Sequence, residues 1–256
     1  MVKRILKYLY IAAVYLVLYV PLLVTIVFSF NNSVSADAWH GFTLKWYESL
    51  LADKSLINSA FRSLFLAAAA ATSSTVVGTI IAIALHRYRF IGQKVVYGSL
   101  SVIMLSPEII QGISLVMIFV ILGVPLGFTT LLLSHTVFCF PFVTITVLAR
   151  LKGVNRNLAE SGADLGASDV DIVRFILIPL ILPAVFAGWL MSFTLSIDDV
   201  IISFFVSGKE YEILPMKIYS MVRTGIQPDV NALCAALFFA TFFVVMISYR
   251  LVRAKR

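Results

Sequence analysis

Apolar runs long enough to cross a lipid bilayer recur along this chain, and nothing else in the sequence restricts its fold as tightly. Crossing the hydrocarbon as a helix takes about 20 residues, and runs of that order lie near residues 8–30, 60–85, 95–122, 129–149, 175–197 and 232–251. Lipid offers a backbone amide no hydrogen-bond partner, so each run must satisfy its own backbone, which a helix does within one segment. The alternating pattern of a membrane barrel is absent. Hydrophobic residues make up 61% of the 256 and charged residues 13%, which excludes an ordinary soluble domain. The expectation is an all-α integral membrane protein of six transmembrane helices, one domain over residues 1–256. The first run follows Lys3, Arg4 and Lys7, but it is too long for a secretory signal and no small-residue cleavage site closes it, so it reads as a retained helix.

An even number of spans puts both termini on one side. That side holds Lys3, Arg4, Lys7, Arg87, Arg89, Lys94, Arg150, Lys152, Arg156, Arg174, Arg250, Arg253, Lys255 and Arg256, most of the 20 Lys and Arg in the chain. Basic loops face the cytoplasm, so both termini are expected there. Membrane topology thus accounts for the net charge of +7, and no nucleic-acid partner is needed. Two longer outward loops run over about 31–57 and 207–231, and the apolar spacing of Ile213, Leu214, Met216, Ile218, Met221 and Val222 predicts a short amphipathic or re-entrant helix in the second.

Several chemistries are excluded. There is no GxxxxGK[ST] phosphate cradle, and Gly208-Lys209 is followed by Glu210, so the chain does not hydrolyse ATP alone. The adjacent acids Asp198 and Asp199 diverge by about 100° on a helix and cannot face one another as a proteolytic dyad; no second GxGD-like site accompanies them. His135 follows Ser134 without a Gly-flanked nucleophile or an orienting acid in sequence, and reads as a helix-packing residue. Cys139 and Cys234 sit in separate apolar runs with no CxxC or Cys/His cluster, and read as small buried residues without a metal or disulfide role.

Between the fourth and fifth runs the chain reads LAESGADLGASDVDIVRFILIPLILPA. Glu160, Ser161 and Gly162 precede Gly166, with Ile176 ten residues further and Pro179 closing the pattern. A short amphipathic helix from Leu158 to Leu165 offers small residues for close approach, and Gly166 permits a positive-φ turn into a second helix near Asp169. This stretch resembles the EAA loop of ABC-importer permeases, with Ser161 and Gly162 where that family prefers alanine and Ile178 where it prefers leucine. The likeness extends through SFNNS, GFTLKWYESLL, LHRYRF, MLSPEIIQGISL, FTLSIDDVIISFFVSG and YEILPMKIYSMVR, which are similar to the permeases of bacterial spermidine/putrescine importers. The resemblance implies a type I, MetI-like permease architecture and a non-catalytic subunit. It also implies a homologous second permease, two ATP-binding subunits docked through Glu160, Ser161, Gly162, Gly166, Ile176 and Pro179, and a periplasmic polyamine-binding protein. No cofactor is implied beyond the ATP held by those partners.

FTLSIDDVIISF, residues 193–204, places two acids in an apolar run. Ionisable groups at membrane depth are costly and line polar pathways, so Asp198 and Asp199 read as part of a cation route. Glu108, after Pro107 near the middle of the third run, joins them, since proline removes a backbone hydrogen bond and widens the local geometry. Carboxylates on different helices suit a flexible polycation. For Asp199 the competing reading is a helix-end residue bonded to backbone amides. Two further readings stay open at this stage, a permease for another cationic or small organic solute and a transporter that works without an ATPase.

Overall fold

The computed structural model describes residues 2–33, 38–155, 157–209, 211–224 and 228–254. Of the basic positions assigned to the inner face, Arg156, Lys255 and Arg256 lie outside them, as do Glu210 and residues 225–227 of the second outward loop. Helices account for the described chain: α1 Val2–Phe28, α2 Lys45–Ala52, α3 Lys54–Arg87, α4 Gln93–Leu105, α5 Glu108–Ile121, α6 Phe128–Lys152, α7 Asn157–Asp164, α8 Asp169–Asp171, α9 Ile178–Asp198, α10 Ile201–Val206, α11 Leu214–Thr224 and α12 Pro228–Ala254. A π-helical stretch, Ile172–Leu177, joins α8 to α9. Among the described residues the one strand-like pairing is an isolated bridge between Asn31 and Phe42.

Four segments are long and apolar enough to cross a membrane: Leu6–Phe28, Lys54–Arg87, Phe128–Lys152 and Asp169–Asp198. The run read as one span over 95–122 is instead two helices, α4 and α5, bent by 112°. Proline is the cause. Pro107 has no amide to continue the ladder and pushes Ser106 out of the helical region, to ψ 132°. Counted as one broken span, the pair raises the number to five. The sixth expected span, 232–251, falls within α12, Pro228–Ala254, of which Pro228–Phe243 is the apolar stretch among the described residues. Among the described residues, then, four segments meet the requirement by length and composition, or five with the bent pair, against the six expected from the sequence.

The chain divides into two compact units, Met1–Asn58 with Lys217–Arg256, and Ser59–Met216. In the first, α12 packs on both α1 and α2, and the 31–57 loop is pinned by side chains. Asn31 donates to the Ala38 carbonyl at 2.8 Å and accepts from the His40 amide at 2.7 Å, while Trp46 donates to the Asn31 carbonyl at 2.8 Å. The short helix expected in the second loop is α11.

The second unit is organised around α6, which is buried along most of its length. Small residues let its neighbours approach. A β-carbon on Gly78 of α3 would stand 2.8 Å from the Phe140 carbonyl oxygen and 2.8 Å from Val143 Cβ, and one on Gly188 of α9 would stand 3.1 Å from Val143 Cγ1. Val143 is thus gripped by a glycine on each side. Ala67, Ala70, Ala71 and Ser74 of α3 are also wholly buried. With lipid no more polar than leucine, helices gain little from apolar contact alone, and close packing over small residues does the work.

Candidate functional site

Two helix breaks build a cleft. At the first, α4 ends at Leu105 and α5 starts at Glu108 directly after Pro107; Gln111 spans the break, donating to the carbonyls of Ile103 and Ser106 at 2.9 Å each. At the second, α9 ends at Asp198 and the chain is extended at Asp199 (φ −69°, ψ 124°) before α10 begins at Ile201. The α5 and α10 helices lie against each other, because a β-carbon on Gly112 would reach within 2.6 Å of the Phe205 ring. The cleft so formed, about 170 Å³, is lined by Glu108, Phe138, Thr194, Leu195, Asp198 and Asp199. Its described lining carries three carboxylates and no basic side chain. Irregular backbone at membrane depth is tolerated where it lines a cavity or is buried in protein, and both breaks meet that condition here.

The three acids are placed differently. Glu108 and Asp198 are exposed, whereas Asp199 is 6% exposed. Glu108, read as mid-span, is the first residue of α5. Asp199 accepts from the Ile202 amide at 3.2 Å, the Ser203 amide at 2.8 Å and the Ser203 hydroxyl at 2.7 Å. It therefore caps α10, the role that competed with a pathway role in the sequence, while still bordering the cleft.

Behind Asp199 lies a histidine whose connections the sequence did not announce. His135 of α6 is wholly buried; its Nδ1 is 2.7 Å from Ser196 Oγ, its Nε2 2.9 Å from Ser203 Oγ and 3.5 Å from Asp199 Oδ2. It packs between helices, as expected, and it also touches the acidic corner. Ser196, Ser203, Phe138 and Thr194 were missed as site residues. The four-residue step from Asp199 to Ser203 was the available signal.

The Glu160–Pro179 motif has its own geometry. Helix α7 ends in a Schellman turn: the Ala167 amide donates to the Gly162 carbonyl at 3.0 Å and the Gly166 amide to the Ala163 carbonyl at 2.9 Å, with Gly166 at φ +86°. Ser168 then caps α8 reciprocally, accepting from the Asp171 amide at 3.2 Å while the Asp171 carboxylate accepts from the Ser168 amide at 3.2 Å. Gly162 is buried against the π-helical stretch, where its missing β-carbon would stand 2.7 Å from Ile176 Cδ1. Glu160, Ser161, Ile178 and Pro179 are exposed; Glu160 borders a cleft of about 250 Å³ with His86, Arg87, Arg89, Val154, Asn155 and Leu177. Arg87, at the end of α3, pairs with Asp169 of α8. Both cysteines are free. No group of three His, Cys, Asp or Glu among the described residues could hold a metal ion.

Residues 74–255 match the family described as "Binding-protein-dependent transport system inner membrane component". The spermidine/putrescine transport system permease protein PotC of Escherichia coli (strain K12) is 48% identical over 255 residues, 100% of this chain and 97% of that protein. The putrescine transport system permease protein PotI of the same strain is 36% identical over 247 residues, 93% of this chain and 88% of that one. Among solved structures, an inward-facing MetNI methionine ABC transporter superposes with a TM-score of 0.63 at 20% identity, covering 78% of this chain and 95% of that one, a likeness of fold alone. A membrane-embedded helical unit, an acid-lined cleft between broken helices and a glycine-turned helix pair thus belong to a chain that is a member of the binding-protein-dependent transport system inner membrane components.

Proposed function

We propose that this chain is a permease subunit of an ATP-driven importer that carries polyamines, spermidine or putrescine, into the cell. The carrying observation is the cleft in which Glu108, Asp198 and Asp199 stand together with no basic residue in the described lining. Three carboxylates without a counter-charge attract an organic polycation, and the Phe138 face beside them suits an ammonium group or its alkyl stem. The full-length likeness to PotC and the weaker likeness to PotI support the same substrate class. The chain itself is non-catalytic. It works with a second, homologous permease, with two ATP-binding subunits that dock where α7 meets Ile176, and with a periplasmic binding protein that delivers substrate. Both termini face the cytoplasm.

Uptake of labelled spermidine and putrescine, in cells lacking their own polyamine importers and given this chain with its neighbouring subunits, tests the reading. Saturable uptake that depends on an active ATPase and resists competition by arginine and lysine is expected. Uptake of basic amino acids in place of polyamines would reassign the substrate; uptake that persists with an inactive ATPase would reassign the class.

A further inference from the structure

We propose that His135 is a positioning residue for the acidic cleft, acting as a neutral imidazole protonated on Nε2 at the centre of a buried relay, Ser196–His135–Ser203–Asp199. The inference rests on the polyamine reading for its transport consequence but not for its geometry.

Donors and acceptors fix the direction of the relay. The Ser203 hydroxyl donates its single proton to Asp199 Oδ2, so toward His135 the Ser203 oxygen only accepts. The 2.9 Å contact at Nε2 therefore requires a proton on Nε2. Nδ1, 2.7 Å from Ser196 Oγ, is then free to accept the Ser196 proton. Every member is satisfied with the ring neutral, and the relay ends in one negative charge, on Asp199. A charged ring would instead place a cation 3.5 Å from Asp199 Oδ2 and cancel the charge that the cleft presents. The other charged groups facing this corner are Glu108 on α5 and Asp198 at the end of α9; Cys139, one turn along α6 from His135, is buried and lies 3.7 Å from the Ser192 carbonyl.

The relay also fixes where Asp199 points. Oδ2 takes the Ser203 amide and hydroxyl, and Oδ1 takes the Ile202 amide, which leaves one lone-pair direction on Oδ1 of the four that a carboxylate offers. His135 holds Ser203, Ser203 holds Oδ2, and the remaining direction is thereby defined. Because His135 sits on α6, Ser196 on α9 and Ser203 on α10, one ring ties three helices to the orientation of one carboxylate.

Two measurements decide the matter. The chain holds three histidines, His40, His86 and His135, so nitrogen-15 labelling of histidine in the full-length permease, with His135→Gln as the assignment control, reads the His135 ring directly. At neutral pH the proton is expected on Nε2 with Nδ1 bare, and that signature should be lost in Ser203→Ala. A ring protonated on Nδ1 or on both nitrogens overturns the relay. In uptake assays of the assembled importer, His135→Leu should raise the KM for spermidine tenfold or more, while His135→Gln, whose amide keeps a donor for Ser203 and an acceptor for Ser196, should return it to within about threefold of wild type. An unchanged KM in His135→Leu at normal membrane abundance, or a His135→Gln variant no better than His135→Leu, sinks the positioning role. If the wild type takes up no polyamine, the substrate reading falls, and the ring's protonation still decides the relay.

Discussion

Gly162 and Ile176, fourteen residues apart in sequence, are in such close contact that a β-carbon on the glycine would stand 2.7 Å from the isoleucine Cδ1. The contact locks α7 against the π-helical stretch. Cδ1 is the far end of a flexible side chain, so a methyl group at position 162 displaces little, whereas a branched side chain must push α7 off its seat. Gly162→Ala is expected to keep uptake within about threefold of wild type, a difference of roughly 0.7 kcal/mol by the tenfold-per-1.4 rule. Gly162→Leu should abolish uptake and ATPase association with the membrane helices still inserted. Uptake, co-purification of the ATPase and membrane abundance, measured on the same preparations, check this pair.

Gly166 presents a different case. Nothing lies within 4 Å of the place its β-carbon would occupy, yet its φ is +86°, so a substitution is strained by backbone conformation and meets no steric obstacle. An L-residue in the left-handed region costs about 1–2 kcal/mol, and asparagine tolerates that region better than alanine or valine. Uptake should fall in the order Gly166→Asn, Gly166→Ala, Gly166→Val, the last being the most severe. Equal losses for Asn and Val would assign the defect to the docking surface and not to the turn.

The acids separate by environment. Glu108→Gln and Asp198→Asn, both exposed to the cleft, should each lower polyamine uptake about tenfold at normal abundance, since losing about 1.4 kcal/mol of binding is a factor of ten and a charge-assisted hydrogen bond is worth roughly 1.5–3 kcal/mol. Full transport by the double variant would end the pathway assignment for both.

Asp199→Asn should behave otherwise. Its carboxylate accepts three hydrogen bonds in a buried corner, and an amide that turns its NH2 toward the Ser203 or Ile202 amide leaves a buried donor unpaired, at about 1–3 kcal/mol. The amount of folded permease should drop together with uptake, and quantitative blotting of membranes beside the uptake assay reads the difference. Normal abundance with lost uptake would show that Asp199 acts through its charge in the cleft alone and that its cap on α10 contributes little to folding.

The ion pair between Arg87 and Asp169 is the most exposed of these contacts, with 61% of the Asp169 side chain accessible. Solvent and salt screen it, so its removal in Asp169→Asn should cost no more than about 1 kcal/mol of stability. Thermal unfolding of the detergent-purified variant at low and high salt checks this, the gap from wild type narrowing as salt rises.

How far the sequence revealed all this depends on the range over which each feature is encoded. The Gly166 turn was legible because its signal is local: small residues, a glycine and a capping serine followed by aspartate suffice to specify a Schellman turn and a capped restart. Pro107 was visible as well, but the span was read straight through it; proline in an apolar run widens a helix or breaks it, and the side chain of Gln111, which takes the Ile103 and Ser106 carbonyls across the break, is a contact that exists only once the chain has bent. Glu108 and Asp198 were recognisable as costly charges in apolar surroundings. His135 was not, because its partners lie 61 and 68 positions away, and a lone histidine in an apolar run carries no sign of the serines it will meet. Likewise, the grip of Gly78 and Gly188 on Val143 needs three helices to exist before it has meaning.

The π-helical stretch sets the angular phase of everything after it. Along the wall from α8 into α9 the buried positions are Ile172, Leu177, Ile181, Gly188, Ser192 and Ser196, and the five-residue first step is the one a π turn accommodates. That added residue rotates the α8 end by about 100° relative to an uninterrupted α-helix. Ile172, whose Cγ1 would stand 3.5 Å from a β-carbon on Gly162, and Ser196, the serine that meets His135, therefore share one continuous stripe. Deleting a single residue between 172 and 177 would leave both ends well formed and put them out of phase, so that a permease could seat α7 or align its acidic corner, but not both on the same rigid rod.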